Sequence, residues 1–398
     1  MKPPLPLSEA QARLLASVDA LAPEDVPVEQ ALGRCLAAPL TARRTQPAAD
    51  LSAMDGYAMR EGEHGPWKVV GESAAGHPYS GIVGAGEAIR ISTGALMPAG
   101  ASAVLLQENA HRDGETLALN GEGEPSARHI RRTGFDFGSG DALLPPGTRV
   151  GPAQIALALS AGNSSLSVHG LPRLAILDSG DELAADPANC ALHQIPASNG
   201  AMLAAMASGL AADIQRLGPV PDDLDALAAA LDAAGHAEVI VTSGGASVGD
   251  HDLIRPALEA WGAQIDFWRV AMKPGKPLLV ARKGGTVVLG LPGNPVSSFV
   301  TAYFFLLPLL RALAGNSRPL PSPIPLRLAG EMPAGGGRME FLRAVLVDGK
   351  AVPVTERDSS ALRAMASSGL LIERPANAPP APPGSIVPAY WIGNGGVA

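Results

Sequence analysis

The stretch MKPGKP, residues 272–277, sets Lys273 and Lys276 three apart with only Pro274 and Gly275 between them. Proline and glycine keep a helix or a regular strand from running through that piece of backbone. The chain has six lysines in 398 residues, and arginine supplies the rest of its 30 basic side chains. Two compact ammonium groups on a bent, stiff turn suit the neutralisation of an anion. Three more loops in the same half of the chain are loaded with polar groups. DSGDEL carries Asp178, Asp181 and Glu182. TSGGASVGDHD carries Ser243, Gly244, Gly245, Ser247, Gly249 and Asp252. LPGNPVSS carries Gly293, Asn294, Ser297 and Ser298 at the start of a helical pattern.

The glycine loops can turn several backbone N–H groups toward a phosphate, and a following helix N-terminus adds partial positive charge. The lysines would face the oxyanion, and the carboxylates could hold a Mg²⁺ ion that bridges it. Taken singly, each loop has a plain structural reading as a turn, a solvated acid or a surface lysine. Their conjunction favours the functional reading. GASVG, residues 245–249, also fits the GxSxG pattern of a hydrolase nucleophile. Only His251 follows it, four residues on, where it cannot serve as the base of a triad.

Ahead of these loops lie SAMDGYAMR with Asp55, ISTGALMPAGAS with Thr93, and IRRTGFDFGSGD with Asp136. The plain reading of Asp55 is a tight turn in which its carboxylate bonds its own backbone. Thr93, Gly94 and Pro98 read as a stiff loop able to reach a ligand.

The elements that must hold these loops follow from periodicity. Ser8 and Gln11 predict a capping box before a helix carrying Leu14, Leu15, Val18 and Leu21. A second helix is predicted over 27–40, with Pro27 at its first turn. Residues 46–147 alternate short β-type runs with glycine turns, and 151–162 return to helix. From 172 onward the predicted order is strand (RLAILDS), helix (198–217), helix (222–235), strand (AEVIVTSGG) and helix (250–262). A strand (IDFWRVAM), the lysine loop, a hairpin at Lys283-Gly284-Gly285 and a long apolar helix from Asn294 complete it. Alternation of this kind predicts a mostly parallel sheet, which binds ligands at its strands' carboxyl ends. A proline-rich linker, 316–326, leads to a small β unit with a hairpin signal at Asp348-Gly349.

Composition limits the function classes. The chain is 46% apolar and 17% charged, as expected of a well-cored protein. A formal charge of −8 argues against nucleic acid as partner. Cys35 and Cys190 fit no metal-ligand spacing. No apolar signal segment opens the chain, and Pro308 and Arg311 interrupt its most apolar run. No membrane span and a cytoplasmic location are therefore expected.

SAMDGYA, STGALMPAGASAVLLQEN, DSGDEL, TSGGASVGDHD, MKPGKP and GLPGNPVSS stand in this order at these separations. In that respect the chain resembles the MoeA family of molybdopterin molybdenumtransferases, to which the C-terminal region of gephyrin also belongs. The resemblance runs from about residue 7 to 395. It implies an α/β multidomain fold in four parts. These are a split helical segment (1–45 plus 139–171), an inserted β domain (46–138), a molybdopterin-binding α/β domain (172–316) and a C-terminal β-barrel (322–398). It also implies a homodimer, with the cleft completed by parts of the second subunit. Transient contact with the adenylyltransferase or with recipient molybdoenzymes is a further implied partnership.

The implied reaction is insertion of molybdate into adenylylated molybdopterin, with Mg²⁺ as cofactor and AMP released. Holding a pyrophosphate-linked nucleotide beside a second anion sets unit charges ~4 Å apart, costing roughly 4 kcal/mol per pair at an effective dielectric near 20. That repulsion is a reason for paired lysines. By resemblance Asp55, Asp136, Glu182, Asp252, Lys273 and Lys276 are catalytic. Thr93, Asp222, Gly244, Gly245, Ser247, Gly249, Gly293, Asn294 and Ser297 bind the cofactor substrate. Glu182, Asp252, Arg343 and Ser359 belong to the metal or molybdate. Two departures from the family pattern are Ala197 before Ser198-Asn199, where an aspartate is usual, and ERDSS, 356–360, in place of a glutamine-glycine lead-in near Ser359. The alternatives are a molybdopterin adenylyltransferase, usually marked by a TGGTG loop, and a binding scaffold without turnover.

Overall fold

The computed structural model describes residues 3–244 and 253–392. At its centre is a six-stranded sheet in the order Asp213–Val220, Arg173–Ser179, Val239–Ser243, Thr286–Leu291, Pro277–Lys283, Gln264–Arg269. The first four strands are parallel, the expected glycine hairpin reverses Pro277–Lys283 against Thr286–Leu291, and Gln264–Arg269 pairs antiparallel to Pro277–Lys283. Val239–Ser243 and Thr286–Leu291 are buried along their whole length, as parallel strands covered on both faces should be. The strand Asp213–Val220 begins inside the helix predicted over 198–217. That helix stops at Ala207, and Gly209 turns left-handed at φ +77°. Pairing of the next residues with Arg173–Ser179 then outweighs their local helical pattern.

The apolar helix forms as expected and runs Pro295–Leu313, with 89% of its most apolar window inside the protein. Its interior is a π-helical turn, Ala302–Leu306. Pro308 has no N–H to offer the Phe304 carbonyl one turn back. Gln11 Nε2 supplies that hydrogen bond instead, at 3.0 Å in a buried position. Gln11 therefore points inward from the helix Leu7–Leu15 and does not cap it. Pro6 is the N-cap, and no side-chain bond caps this end. Leu7, Ala10 and Leu14 join Tyr303, Phe304 and Phe305 in the largest core cluster.

The second helix predicted, over 27–40, is absent. A 3₁₀ turn, Val28–Gln30, is followed by Gly33 at φ +81°, and Cys35 and Leu36 bridge to Arg149 and Val168. Strand pairs Pro23–Pro27 with Ser165–His169, and Leu40–Thr41 with Ala142–Leu144, join this segment to 142–169. The helix Pro152–Ser160 packs beside them over a shared core of Val28, Leu36, Leu166 and Val168.

Between these two pieces a six-stranded sheet runs Ala103–Leu106, Gly56–Met59, Glu87–Ile91, Trp67–Ser73, Thr116–Leu119, Ala110–Asp113, cored by Trp67, Met59 and Leu105. At the other end, Met339–Val347, Lys350–Pro353, Ile324–Leu328, Ile386–Trp391 and Leu370–Arg374 close into a β-barrel. Asp348 (φ +47°) and Gly349 (φ +70°) make the predicted two-residue hairpin turn. The short strand Met272–Lys273 pairs in parallel with Met339 and Glu340, so the lysine loop is fastened to the barrel.

Candidate functional site

The lysine loop owes its shape to contacts on both sides. Val270 N–H donates to the Lys276 carbonyl at 2.9 Å, closing the loop at its base. Gly275 sits at φ +96°, and a Cβ there would lie 2.4 Å from Thr301 Oγ1 on the apolar helix. Only glycine lets the turn lie against that helix. Lys273 and Lys276 both reach solvent. Lys273 Nζ donates to Glu340 Oε1 at 3.2 Å, and Glu340 is the far more buried partner. The ion pair steadies Lys273 with half of its side chain still exposed.

A cleft of about 440 Å³ lies between this loop and the barrel, with Ser297 on one side and Arg343 and Ser359 on the other. Arg343 is 5% exposed. Its guanidinium donates to the carbonyls of Glu356 (2.6 Å), Asp358 (3.1 Å) and Ala361 (3.0 Å), fixing the loop that presents Ser359. Burial pulls the Arg343 pKa down, and the carboxylates of Glu356 and Asp358 oppose that. The departure at ERDSS builds its own turn. Asp358 Oδ1 accepts from Ser360 N–H (2.8 Å) and Oγ (2.6 Å), which holds the Asp358 carboxyl below its usual range.

A second hollow, about 680 Å³, opens at the carboxyl ends of the parallel strands, among Asp178, Glu182, Asn199, Gly244 and Gly293. Pro277, Pro292 and Asn294 line both spaces, so cleft and basin adjoin. The wall between them is built by small residues and amides. Gly244 (φ +104°) closely approaches Gly293, where a Cβ would stand 3.8 Å from the Gly244 Cα. Asn199 Nδ2 donates to the Gly293 carbonyl at 2.7 Å. Ser297 is buried near the start of the helix that follows.

Asp178 occupies the floor of the basin. It is 4% exposed, its Oδ1 has no partner among the described residues, and a Cβ on Gly200 would meet its Oδ2 at 2.1 Å. Burial raises its pKa, against the pull of Arg216 and hydrogen bonds from Gly200 and Ser243. Glu182 is exposed on the rim. Asp222 does not line the basin, and its N–H donates to Asp181 Oδ1 at 3.1 Å.

The inserted domain's residues gather elsewhere. Asp55 Oδ1 accepts from Thr93 N–H at 2.7 Å, so the carboxylate spans two motifs and does not simply close its own turn. Ser52 N–H donates to the Ala95 carbonyl, and Gly94 N–H to the Ser52 carbonyl. Gly56 has no alternative, because a Cβ there would lie 1.9 Å from the Leu105 carbonyl oxygen. Asp136 is exposed on a loop tied through its N–H to Gln46. Within one chain Asp55, Thr93 and Asp136 line neither cleft nor basin.

Gly245, Ser247, Gly249 and Asp252 lie outside the described residues, as does the GASVG stretch. Among the described residues no three His, Cys, Asp or Glu side chains converge as a metal site. Glu340, Arg338 and Arg357 line the cleft without having been expected there. Their only sequence signal is a glycine run, 335–337, ahead of a strand.

Three family models cover the chain in order. The "MoeA N-terminal region (domain I and II)" matches 5–162, the "Probable molybdopterin binding domain" 175–312, and the "MoeA C-terminal region (domain IV)" 325–392. The "Molybdopterin molybdenumtransferase 2" of Mycobacterium tuberculosis is 32% identical over 385 residues, 93% of this chain and 95% of that one. The "Molybdopterin molybdenumtransferase" of Bacillus subtilis is 32% identical over 390 residues, 94% of this chain and 90% of its own length. The crystal structure of the Pyrococcus horikoshii molybdopterin biosynthesis protein moeA superposes with a TM-score of 0.84 at 25% identity, covering 98% of this chain and 100% of the other. The adjoining cleft and basin are thus set in an architecture shared from end to end, and the chain belongs to the MoeA family of molybdopterin molybdenumtransferases.

Proposed function

We propose that this chain inserts molybdate into the dithiolene of adenylylated molybdopterin, releasing AMP. One observation carries the reading. Two spaces adjoin across Pro277, Pro292 and Asn294, with the lysine loop on one and Gly244 and Gly293 on the other. The basin takes the phosphate-bearing pterin, received by Gly244, Gly293 and the loop of Gly245, Ser247 and Gly249. The cleft takes molybdate, faced by Lys273, Lys276 and Ser297 and, across from them, Ser359. Arg343 acts by holding the Ser359 loop. Lysine suits this task, since a point charge with rotatable donors follows a tetrahedral oxyanion without imposing a flat fork.

By the family resemblance Glu182, exposed on the basin rim, and Asp252 would hold Mg²⁺, in the way that ion binds through one or two carboxylates and the substrate's own phosphates. When bound it offsets charge on the pyrophosphate. Asp55, Thr93 and Asp136 are assigned to a partner subunit's cleft, as a homodimer would place them. This is consistent with their lying away from both spaces within one chain.

The test is turnover with purified protein, adenylylated molybdopterin, Mg²⁺ and molybdate, following AMP release and reactivation of a cofactor-free molybdoenzyme. Molybdate-dependent AMP release, abolished in Lys276→Ala and Glu182→Ala, is expected. Tight pterin binding without AMP release in excess molybdate would refute insertion.

A further inference from the structure

Among the described residues five cationic side chains line the cleft: Lys273, Lys276, Arg338, Arg343 and Arg357. They are not equally free to meet an anion. Lys273 Nζ is paired with Glu340 Oε1 at 3.2 Å. The buried Arg343 donates to the carbonyls of Glu356, Asp358 and Ala361, and Arg338 Nη1 donates to the Met272 carbonyl at 3.3 Å. Lys276 and Arg357 are both exposed, and neither side chain has a hydrogen bond or ion pair among the described residues. Glu340, Glu356 and Asp358 line the same space, so its net charge is modest. Where the two uncommitted cations stand therefore matters more than how many cations there are.

Arg357 stands on a fixed piece of backbone. Its neighbours on either side, Glu356 and Asp358, both give their carbonyls to Arg343, at 2.6 and 3.1 Å. Their carboxylates serve the same turn. Glu356 Oε1 accepts from Asp358 N–H at 2.7 Å, and Asp358 Oδ1 accepts from Ser360 N–H and Oγ. The buried guanidinium of Arg343 thus builds the turn, and the exposed one of Arg357 is left over for the cleft. A side chain that only braced this loop would be making those contacts itself.

We propose that Arg357 is a molybdate-binding residue, which with Lys276 captures the dianion while Lys273 stays paired with Glu340. This deepens, and rests on, the reading of the cleft as the molybdate space. Two negative charges meet two uncommitted positive ones, one from the lysine loop and one from the barrel loop that carries Ser359. The guanidinium adds directed N–H donors to the point charge of the lysine. Because both cations are exposed, their attraction for the anion is screened by salt, within ~10 Å at 0.1 M and ~3 Å at 1 M.

The probe is molybdate, titrated into the full chain and followed by calorimetry, at low salt and again at about 1 M KCl. The parent is compared with Arg357→Gln and with Lys276→Ala, and melting curves confirm that both variants remain folded. At low salt Arg357→Gln should bind molybdate about fivefold more weakly or worse, the loss of an exposed charge-assisted contact. That deficit should shrink at about 1 M KCl, where the attraction is screened in the parent too. Parental affinity in Arg357→Gln at low salt would overturn the proposal. So would a deficit that salt leaves unchanged, which would make Arg357 a structural brace of its loop. Lys276→Ala tells the two readings apart. Weaker binding in that variant, with none lost in Arg357→Gln, would leave the cleft as the molybdate space and remove only the role of Arg357. Unchanged binding in both variants, or no binding by the parent, would remove the molybdate reading of the cleft as well.

Discussion

Asn294 Nδ2 donates to Ser359 Oγ at 3.0 Å, and two residues on, Val296 N–H donates to the Ser359 carbonyl at 3.1 Å. These bonds tie the helix start at the end of the parallel sheet to a loop of the C-terminal barrel. Asn294 does not cap its own helix through its side chain. It is spent on the junction instead, and the junction closes the cleft.

A double-mutant cycle reads that relationship. Asn294→Ala and Ser359→Ala should each lower unfolding stability by no more than about 1 kcal/mol, because the bond is exposed. Together they should lose less than the sum, with a coupling of about 0.5 kcal/mol or more measured by denaturant titration. Strict additivity would show that the bond carries nothing.

Gly275 is the second test. Gly275→Ala puts a Cβ 2.4 Å from Thr301 Oγ1 at a φ of +96°. The strain should cost about 1–3 kcal/mol, relieved by moving the lysine loop off the helix. Turnover should fall more steeply than stability. Adding Thr301→Ala should restore only part of the loss, since the backbone strain remains. Full rescue would mean that the hydroxyl contact alone dictates glycine.

Asp55 separates charge from scaffold. Asp55→Asn keeps an oxygen to accept from Thr93 N–H, so its melting temperature should stay within about 2 °C of the parent. Asp55→Ala removes the acceptor and should melt lower. If the carboxylate works in a partner's cleft, Asp55→Asn should still lose turnover by about a hundredfold or more. An active Asp55→Asn enzyme would reduce this residue to a brace between two loops.

Asp178 gives a pH signature. Its folded pKa is raised by burial above an unfolded value of about 3.9. Between those two values the folded chain holds the extra proton, so stability falls as pH rises through the folded pKa. The cost of the buried charge is then fully present above it. Asp178→Asn should therefore stabilise the protein at neutral pH, with the gain shrinking as pH falls toward about 4. Melting curves across that range decide it, and a gain independent of pH would assign the effect to packing.

The order of the motifs, the α/β alternation from 172 onward, the Asp348-Gly349 hairpin and the lysine loop's bent shape were all legible in the sequence. Each depends on residues close together in the chain: turn glycines, prolines and apolar periodicity. The errors came where distant partners decide. Residues 213–217 carry a helical pattern but lie beside Arg173–Ser179, whose parallel ladder makes them part of a strand. Gln11 looked like half of a capping box, but Pro308 has no N–H for the Phe304 carbonyl, and the buried Gln11 amide bonds it from elsewhere in the chain.

The site divides along the same line. Sequence alone singled out the side chains that could carry chemistry, because paired lysines on a Pro-Gly turn and glycine loops at strand ends stand together in one half of the chain. Only the tertiary structure decided their grouping. The lysine loop meets the barrel through a two-residue parallel pairing, Arg343 spends its guanidinium on backbone carbonyls, and Asp55 reaches Thr93. Those contacts join residues far apart in the chain, and they hold because buried donors and acceptors must find partners wherever the fold brings them.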